Sequence, residues 1–86
     1  MLFRSPYWTA IVGSFPTRTE AEALAARLRG QGLTPSVLFS SDYSSLNPGY
    51  WVAHVGRFPD QAGADREAQR LRGLGFPSAY PREVRR

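Results

Sequence analysis

The sequence predicts an α+β domain of order β-α-β-β-α-β, in which one four-stranded antiparallel sheet carries both helices on one face. Three observations predict it. A decapeptide occurs twice: Tyr7-Trp8-Thr9-Ala10-Ile11-Val12-Gly13-Ser14-Phe15-Pro16 returns as Tyr50-Trp51-Val52-Ala53-His54-Val55-Gly56-Arg57-Phe58-Pro59, an offset of 43 residues. Each copy alternates apolar side chains as a strand does, and each is followed by an amphipathic helical stripe. Paired glycines then close each stripe, at Gly30/Gly32 and at Gly73/Gly75. One unit used twice is too short for a solenoid. The 86 residues therefore read as a single domain, residues 1–86, with its core from about 7 to 84 and pseudo-repeats over 7–37 and 50–80.

The first strand spans Tyr7 to Phe15. Trp8, Ala10 and Val12 point one way, and Tyr7, Thr9 and Ile11 the other. Thr17 and Glu20 then have capping-box spacing, which starts a helix. Ala21, Leu24, Ala25 and Leu28 form its buried stripe, with acids early and arginines late as the helix dipole prefers. Gly30 and Gly32 end it, where glycine accepts left-handed dihedrals. Pro35 to Ser40, built on Val37-Leu38-Phe39, reads as the second strand.

Ser41 to Gly49 is polar and ends in Asn47-Pro48-Gly49, the chemistry of a turn. The third strand, Tyr50 to Phe58, repeats the first: Trp51, Ala53 and Val55 on one face, Tyr50, Val52 and His54 on the other. Asp60 caps a second helix whose stripe is Ala64, Ala68 and Leu71. Ser78 to Val84 is the last strand, confined to a sheet edge by Pro77 and Pro81. The first and third strands, the longest and most apolar, are expected at the centre. The expected faces follow: Trp8, Ala10, Val12, Trp51, Ala53 and Val55 toward the helices, and Tyr7, Thr9, Ile11, Tyr50, Val52 and His54 on an open face.

Composition narrows the function classes. With one His, no Cys and no ordered Ser/His/Asp set, the chain offers no nucleophilic machinery, no metal site and no cofactor motif, so it reads as a non-enzyme. The glycine pairs follow helices rather than precede them, which suits caps and not phosphate cradles. All eleven cations are Arg, giving a net charge of +4. Many of them (Arg18, Arg27, Arg29, Arg66, Arg70, Arg72) fall on the helices, where a solvated face accounts for them. No apolar run approaches the ~18 residues of a membrane-spanning helix, and Met1 to Pro6 lacks the apolar stretch of a signal peptide. No direct membrane insertion is expected of this segment.

The open face points to binding. Aromatic rings with polar tips stack on sugars or bases while their hydroxyls bond the edges. RNA-recognition modules share this element order and stack bases on their central strands. Their third-strand signature is not met by Tyr50-Trp51-Val52-Ala53-His54-Val55-Gly56, and the central strands place no cation on that face. Nucleic acid is thus the alternative, followed by self-association through the same face.

A strand ending Val-Gly-Ser-Phe, a helix of Ala-x-x-Leu-Ala-x-x-Leu and a second strand ending Val-Gly-x-Phe before another helix resemble the SPOR (sporulation-related repeat) family. The doubled pattern runs from about Tyr7 to Val84, and the loop from Ser40 to Trp51 is similar to that of actinobacterial envelope SPOR domains. The resemblance implies an RNP-like fold and a non-catalytic module that binds peptidoglycan, preferring glycan strands stripped of stem peptides, which mark division septa. It implies a place in the cell envelope outside the cytoplasm, within a membrane-anchored parent whose partners would be divisome or cell-wall proteins.

By position, Ser14 matches the family's Gly-Ser-Phe serine and Tyr50 an aromatic able to stack on a sugar. The family often has Gln where Ile11 stands; His54, its repeat-mate, is the expected substitute. The expected glycan-binding set is therefore Tyr7 and Tyr50 for stacking, Ser14 and His54 for hydrogen bonds, and Thr9, Ile11 and Val52 completing the face.

Overall fold

A computed structural model of the chain describes residues 6–85, so the reading of the N-terminal hexapeptide lies, but for Pro6, outside the described residues. The elements come in the expected order. Strand β1 is Tyr7–Phe15, helix α1 Arg18–Gly30, β2 Pro35–Phe39, β3 Trp51–Phe58, α2 Gln61–Gly73 and β4 Tyr80–Val84. The sheet order is β2-β3-β1-β4 with every pair antiparallel, which puts β1 and β3 at the centre.

Local chemistry explains the boundaries. The Thr17 hydroxyl accepts the Glu20 N–H at 3.4 Å and donates to the Glu20 carboxylate at 2.8 Å, so the pair at the capping-box spacing bond each other. Asp60 does the same work for α2, accepting the Gly63 N–H at 3.0 Å. Both helices close alike, with Leu33 N–H reaching the Leu28 carbonyl and Phe76 N–H the Leu71 carbonyl, past glycines at φ +82° and +104°. Because Thr17 is a side-chain cap with no other role, Thr17→Ala should cost about 1 kcal/mol in denaturant unfolding. An unchanged midpoint would mean that the cap carries no stability.

Two of the expected strands start later than the sequence suggested. Ser78 is held out of β4 because its hydroxyl donates to the Val12 carbonyl. Tyr50 stays outside β3, its N–H given to the Ser40 hydroxyl at 2.8 Å. After β2 the chain makes a single 3-10 turn, Ser40–Asp42, which the sequence pattern did not disclose.

The core has two layers. Between sheet and helices lie Ala10, Val12, Ala53 and Val55 with Leu24, Leu28, Ala68 and Leu71, as the alternation predicted. Trp8 and Trp51 are only half-buried; Trp51 packs on Phe39 with ring centroids 4.7 Å apart. The opposite face differs from expectation. It is not open: Ile11, Leu38, Val52 and Val84 form a second cluster, against which Tyr43, Leu46 and Tyr7 pack.

Candidate functional site

The cover over that second cluster is the segment between β2 and β3. Tyr43 and Leu46 supply its apolar underside, and it is pinned at both ends. At the near end Ser40 and Tyr50 bond each other twice, and the Gly49 N–H reaches the Ser41 hydroxyl. At the far end Ser45 is fastened to β4: its hydroxyl donates to the Glu83 carbonyl and accepts the Arg85 N–H, and Arg82 donates to the Ser45 carbonyl. The loop therefore crosses the sheet from one edge to the other.

What remains uncovered is a cavity of about 260 Å³ beside the loop. Ile11 and Val52 form its floor. Ser14, Tyr50, Tyr80, Asn47 and Arg82 line its sides, with Ser40 and Leu46 behind. Tyr50 and Tyr80 are 45% and 44% exposed, large apolar surfaces that folding has left in water. The pairing explains why they meet: Ile11 stands opposite Tyr80 across β1 and β4, and Ser14 opposite Val52 across β1 and β3. Ser14 and Tyr80 also line a second cavity of about 550 Å³, which runs on between the end of β1, α1 and the α2–β4 connection. Two aromatic rings over an apolar floor, with a hydroxyl, a carboxamide and a guanidinium around them, suit a ligand with both apolar faces and many polar edges.

Four of the seven residues expected to bind thus share one cavity: Ile11, Ser14, Tyr50 and Val52. Ile11 and Val52 are almost wholly buried and contribute only floor. Tyr7, Thr9 and His54 stand elsewhere, and His54 in particular is not a surface group. It is 4% exposed, beneath the Tyr7 ring, with centroids 6.5 Å apart. The Thr9 hydroxyl lies 2.7 Å from the Gly56 carbonyl, 3.1 Å from the Val55 carbonyl and 3.0 Å from His54 Nδ1. A hydroxyl has one proton; spent on a carbonyl, it leaves the oxygen to accept from Nδ1–H, which fixes the imidazole tautomer. Burial, and secondarily the charge of Arg57, lower the His54 pKa from 6.5 to about 4, so the ring is neutral at physiological pH. The Arg57 guanidinium meanwhile caps the Tyr7 ring, 4.5 Å from its centroid.

Tyr80, Arg82 and Asn47 were not among the residues expected from sequence. The signal for Tyr80 and Arg82 was their alternate spacing on the last strand, which Pro77 and Pro81 made look like a mere edge. Among the described residues no group of three or more His, Cys, Asp or Glu could hold a metal ion. Nor is any described helix long and apolar enough to cross a membrane.

Comparison with known proteins agrees with the sequence motifs. Residues 3–39 match the family model of the SPOR domain. The solution structure of the peptidoglycan-binding domain of the Bacillus subtilis cell wall lytic enzyme CwlC is similar in fold, with a TM-score of 0.70 at 24% identity, covering 96% of this chain and 95% of that one. A Burkholderia pseudomallei K96243 protein, whose name marks it for export, gives a TM-score of 0.76 at 25% identity over 91% of this chain, which spans 16% of that protein's length. No curated protein matches the chain. The chain is therefore similar to SPOR domains, by family model over residues 3–39 and by the same pattern returning in its second half.

Proposed function

We propose that this chain is a non-catalytic peptidoglycan-binding module, and that it takes glycan strands stripped of their stem peptides, the form that marks division septa. The observation that carries the reading is the cavity with two exposed tyrosines, Tyr50 and Tyr80, over the Ile11–Val52 floor. Sugar rings offer apolar C–H faces to such rings and hydroxyls to Ser14 and Asn47. Asn47, rather than the buried His54, is the carboxamide in the cavity that Ile11 lines, Ile11 being the position where SPOR domains often have Gln. The likeness to a peptidoglycan-binding domain and to the SPOR family supports the same ligand. The module works in the cell envelope, delivering a longer parent chain and its cell-wall partners to the septum.

Self-association has lost its main surface, because Tyr43 and Leu46 already fill the apolar face that a dimer would bury. The test is co-sedimentation with purified sacculi, before and after an amidase removes the stem peptides. Retention should rise after stripping. Tyr50→Ala and Tyr80→Ala should each weaken it roughly three- to tenfold, as expected for a lost ring contact. Ser14→Ala should weaken it about threefold. All three side chains are exposed, so melting temperatures should stay within about 2 °C of the parent. Absence of retention from every preparation would overturn the reading, and steep loss with salt would redirect it to nucleic acid.

A further inference from the structure

Arg18, Arg70 and Arg85 pair with Glu22, Glu67 and Glu83, whereas Arg82, like Arg27, Arg29, Arg57, Arg66 and Arg72, has no acidic partner among the described residues. Arg82 is set apart from these by its place. It lines the tyrosine cavity, and no Asp or Glu stands among that cavity's lining residues. Its guanidinium is not loose, because one nitrogen donates to the Ser45 carbonyl of the covering loop. That bond tethers the group at one nitrogen and leaves its other N–H donors without a partner among the described residues. Neighbouring Tyr50 and Tyr80 bring low-dielectric surface that strengthens any charge pairing made beside them.

We infer that Arg82 recognises a carboxylate on the glycan, the lactyl carboxylate that stem-peptide removal uncovers on muramic acid. The inference rests on the reading of the cavity as a peptidoglycan site. In an intact strand the lactyl carbonyl is an amide, joined to the first residue of the stem peptide. Amidase hydrolysis adds water across that bond, leaving a carboxylate on the sugar and an ammonium on the departing peptide. Stripping therefore adds one planar anion per muramic acid at the same time as it removes bulk. A planar guanidinium is the side chain suited to a planar carboxylate, through two parallel N–H···O bonds. Arg82 makes stripped strands preferred by attraction, not only by the absence of a clash.

The two contributions separate with soluble glycan strands in three forms: stem peptides intact, stripped, and stripped with the lactyl carboxyl reduced to an alcohol. The third form has lost both the bulk and the charge. The wild-type protein should bind the stripped form roughly tenfold more tightly than the reduced form, the size of a charge-assisted hydrogen bond. Arg82→Gln should bind stripped and reduced strands equally. Arg82→Lys, which keeps the charge and a donor for Ser45 but not the fork, should fall between them. Tyr50→Ala should weaken both forms while preserving their ratio. If Arg82→Gln merely loosened the loop, it too would weaken both forms and keep the ratio, and the inference would be wrong. A wild-type protein indifferent to reduction would overturn it as well, leaving the peptidoglycan reading intact. Failure to bind any form removes both.

Discussion

Gly56→Ala is expected to lower the melting temperature by roughly 12–24 °C, the effect of about 3 kcal/mol in a domain of this size. Two costs combine. Gly56 has φ +84°, where an alanine Cβ is penalised by about 1–2 kcal/mol. That Cβ would also stand 2.5 and 2.6 Å from two ring carbons of Phe58, closer than real Cβ atoms approach anything. Relief means moving a ring of the following strand residues, a further 1–3 kcal/mol or so for overpacking. The geometry follows from a bulge: between the Ala10–Val55 and Trp8–Phe58 pairs, Gly56 and Arg57 together stand opposite Thr9 alone. Thr9 anchors that bulge by its bonds to the carbonyls of Val55 and Gly56.

The same reasoning predicts the order of a small series. Gly13 is the repeat-mate of Gly56, and Phe15 lies over it as Phe58 lies over Gly56, with a Cβ there 2.8 Å from the Leu24 methyl and 3.0 Å from the ring. The Gly-x-Phe of each half is thus a seat for an aromatic ring two residues on. Gly13 lacks the positive φ, so Gly13→Ala should cost less than Gly56→Ala. Gly30, at the end of α1, has open space around it, and Gly30→Ala should be neutral or slightly stabilising. Adding Phe58→Leu to Gly56→Ala should recover the steric part but not the backbone part. A Gly56→Ala protein melting within a few degrees of the parent would mean that the bulge is not held as described.

These contacts also show what could be read beforehand. The strands and helices were legible because independent signals coincided: alternation in Tyr7–Phe15, a cap at Thr17, a stripe through Leu28 and glycines beyond it. The central placement of β1 and β3 followed from their length and apolarity. The cover over the sheet was not legible. Tyr43 and Leu46 are two apolar residues in a polar stretch, and the bonds that hold them down join Ser45 to Glu83 and Arg85, about forty residues away. No periodicity records a contact of that kind. With the face assumed open, alternation placed His54 correctly on it and still gave the wrong environment. Alternation alone put Ile11 and Val52 on the face where the cavity lies, because side-chain direction suffices for that. Tyr80 and Arg82 were not singled out because their place beside the cavity depends on which strand lies next to β1, a tertiary fact.

The buried imidazole makes stability depend on pH in a defined window. In the unfolded chain His54 titrates near 6.5, and in the folded protein near 4. Above about pH 6.5 both states hold the ring neutral, and His54 contributes no pH dependence. Between those values the unfolded chain binds the proton more readily, so acidification favours unfolding. Stability should fall as pH drops from 6.5, by up to about 3 kcal/mol once pH 4 is reached. Carboxylates titrate in the same range, so the comparison must be with a variant that lacks only the titration. His54→Asn offers one, since a side-chain amide can still donate toward Thr9. The difference in stability between pH 7 and pH 4.5 should be larger in the parent than in His54→Asn by roughly 2–3 kcal/mol. Because the chain has one histidine, its ring resonances give the folded-state value directly by NMR. The same spectra show whether Nδ1 holds the proton, as the single Thr9 hydroxyl proton requires. Thr9→Val removes the acceptor and should both destabilise the domain, by about 1–3 kcal/mol for the stranded donor, and release the tautomer. A ring that titrates near 6.5 in the folded protein would show that the Thr9–His54 pair is open to water, and that the loop does not seal the face it crosses.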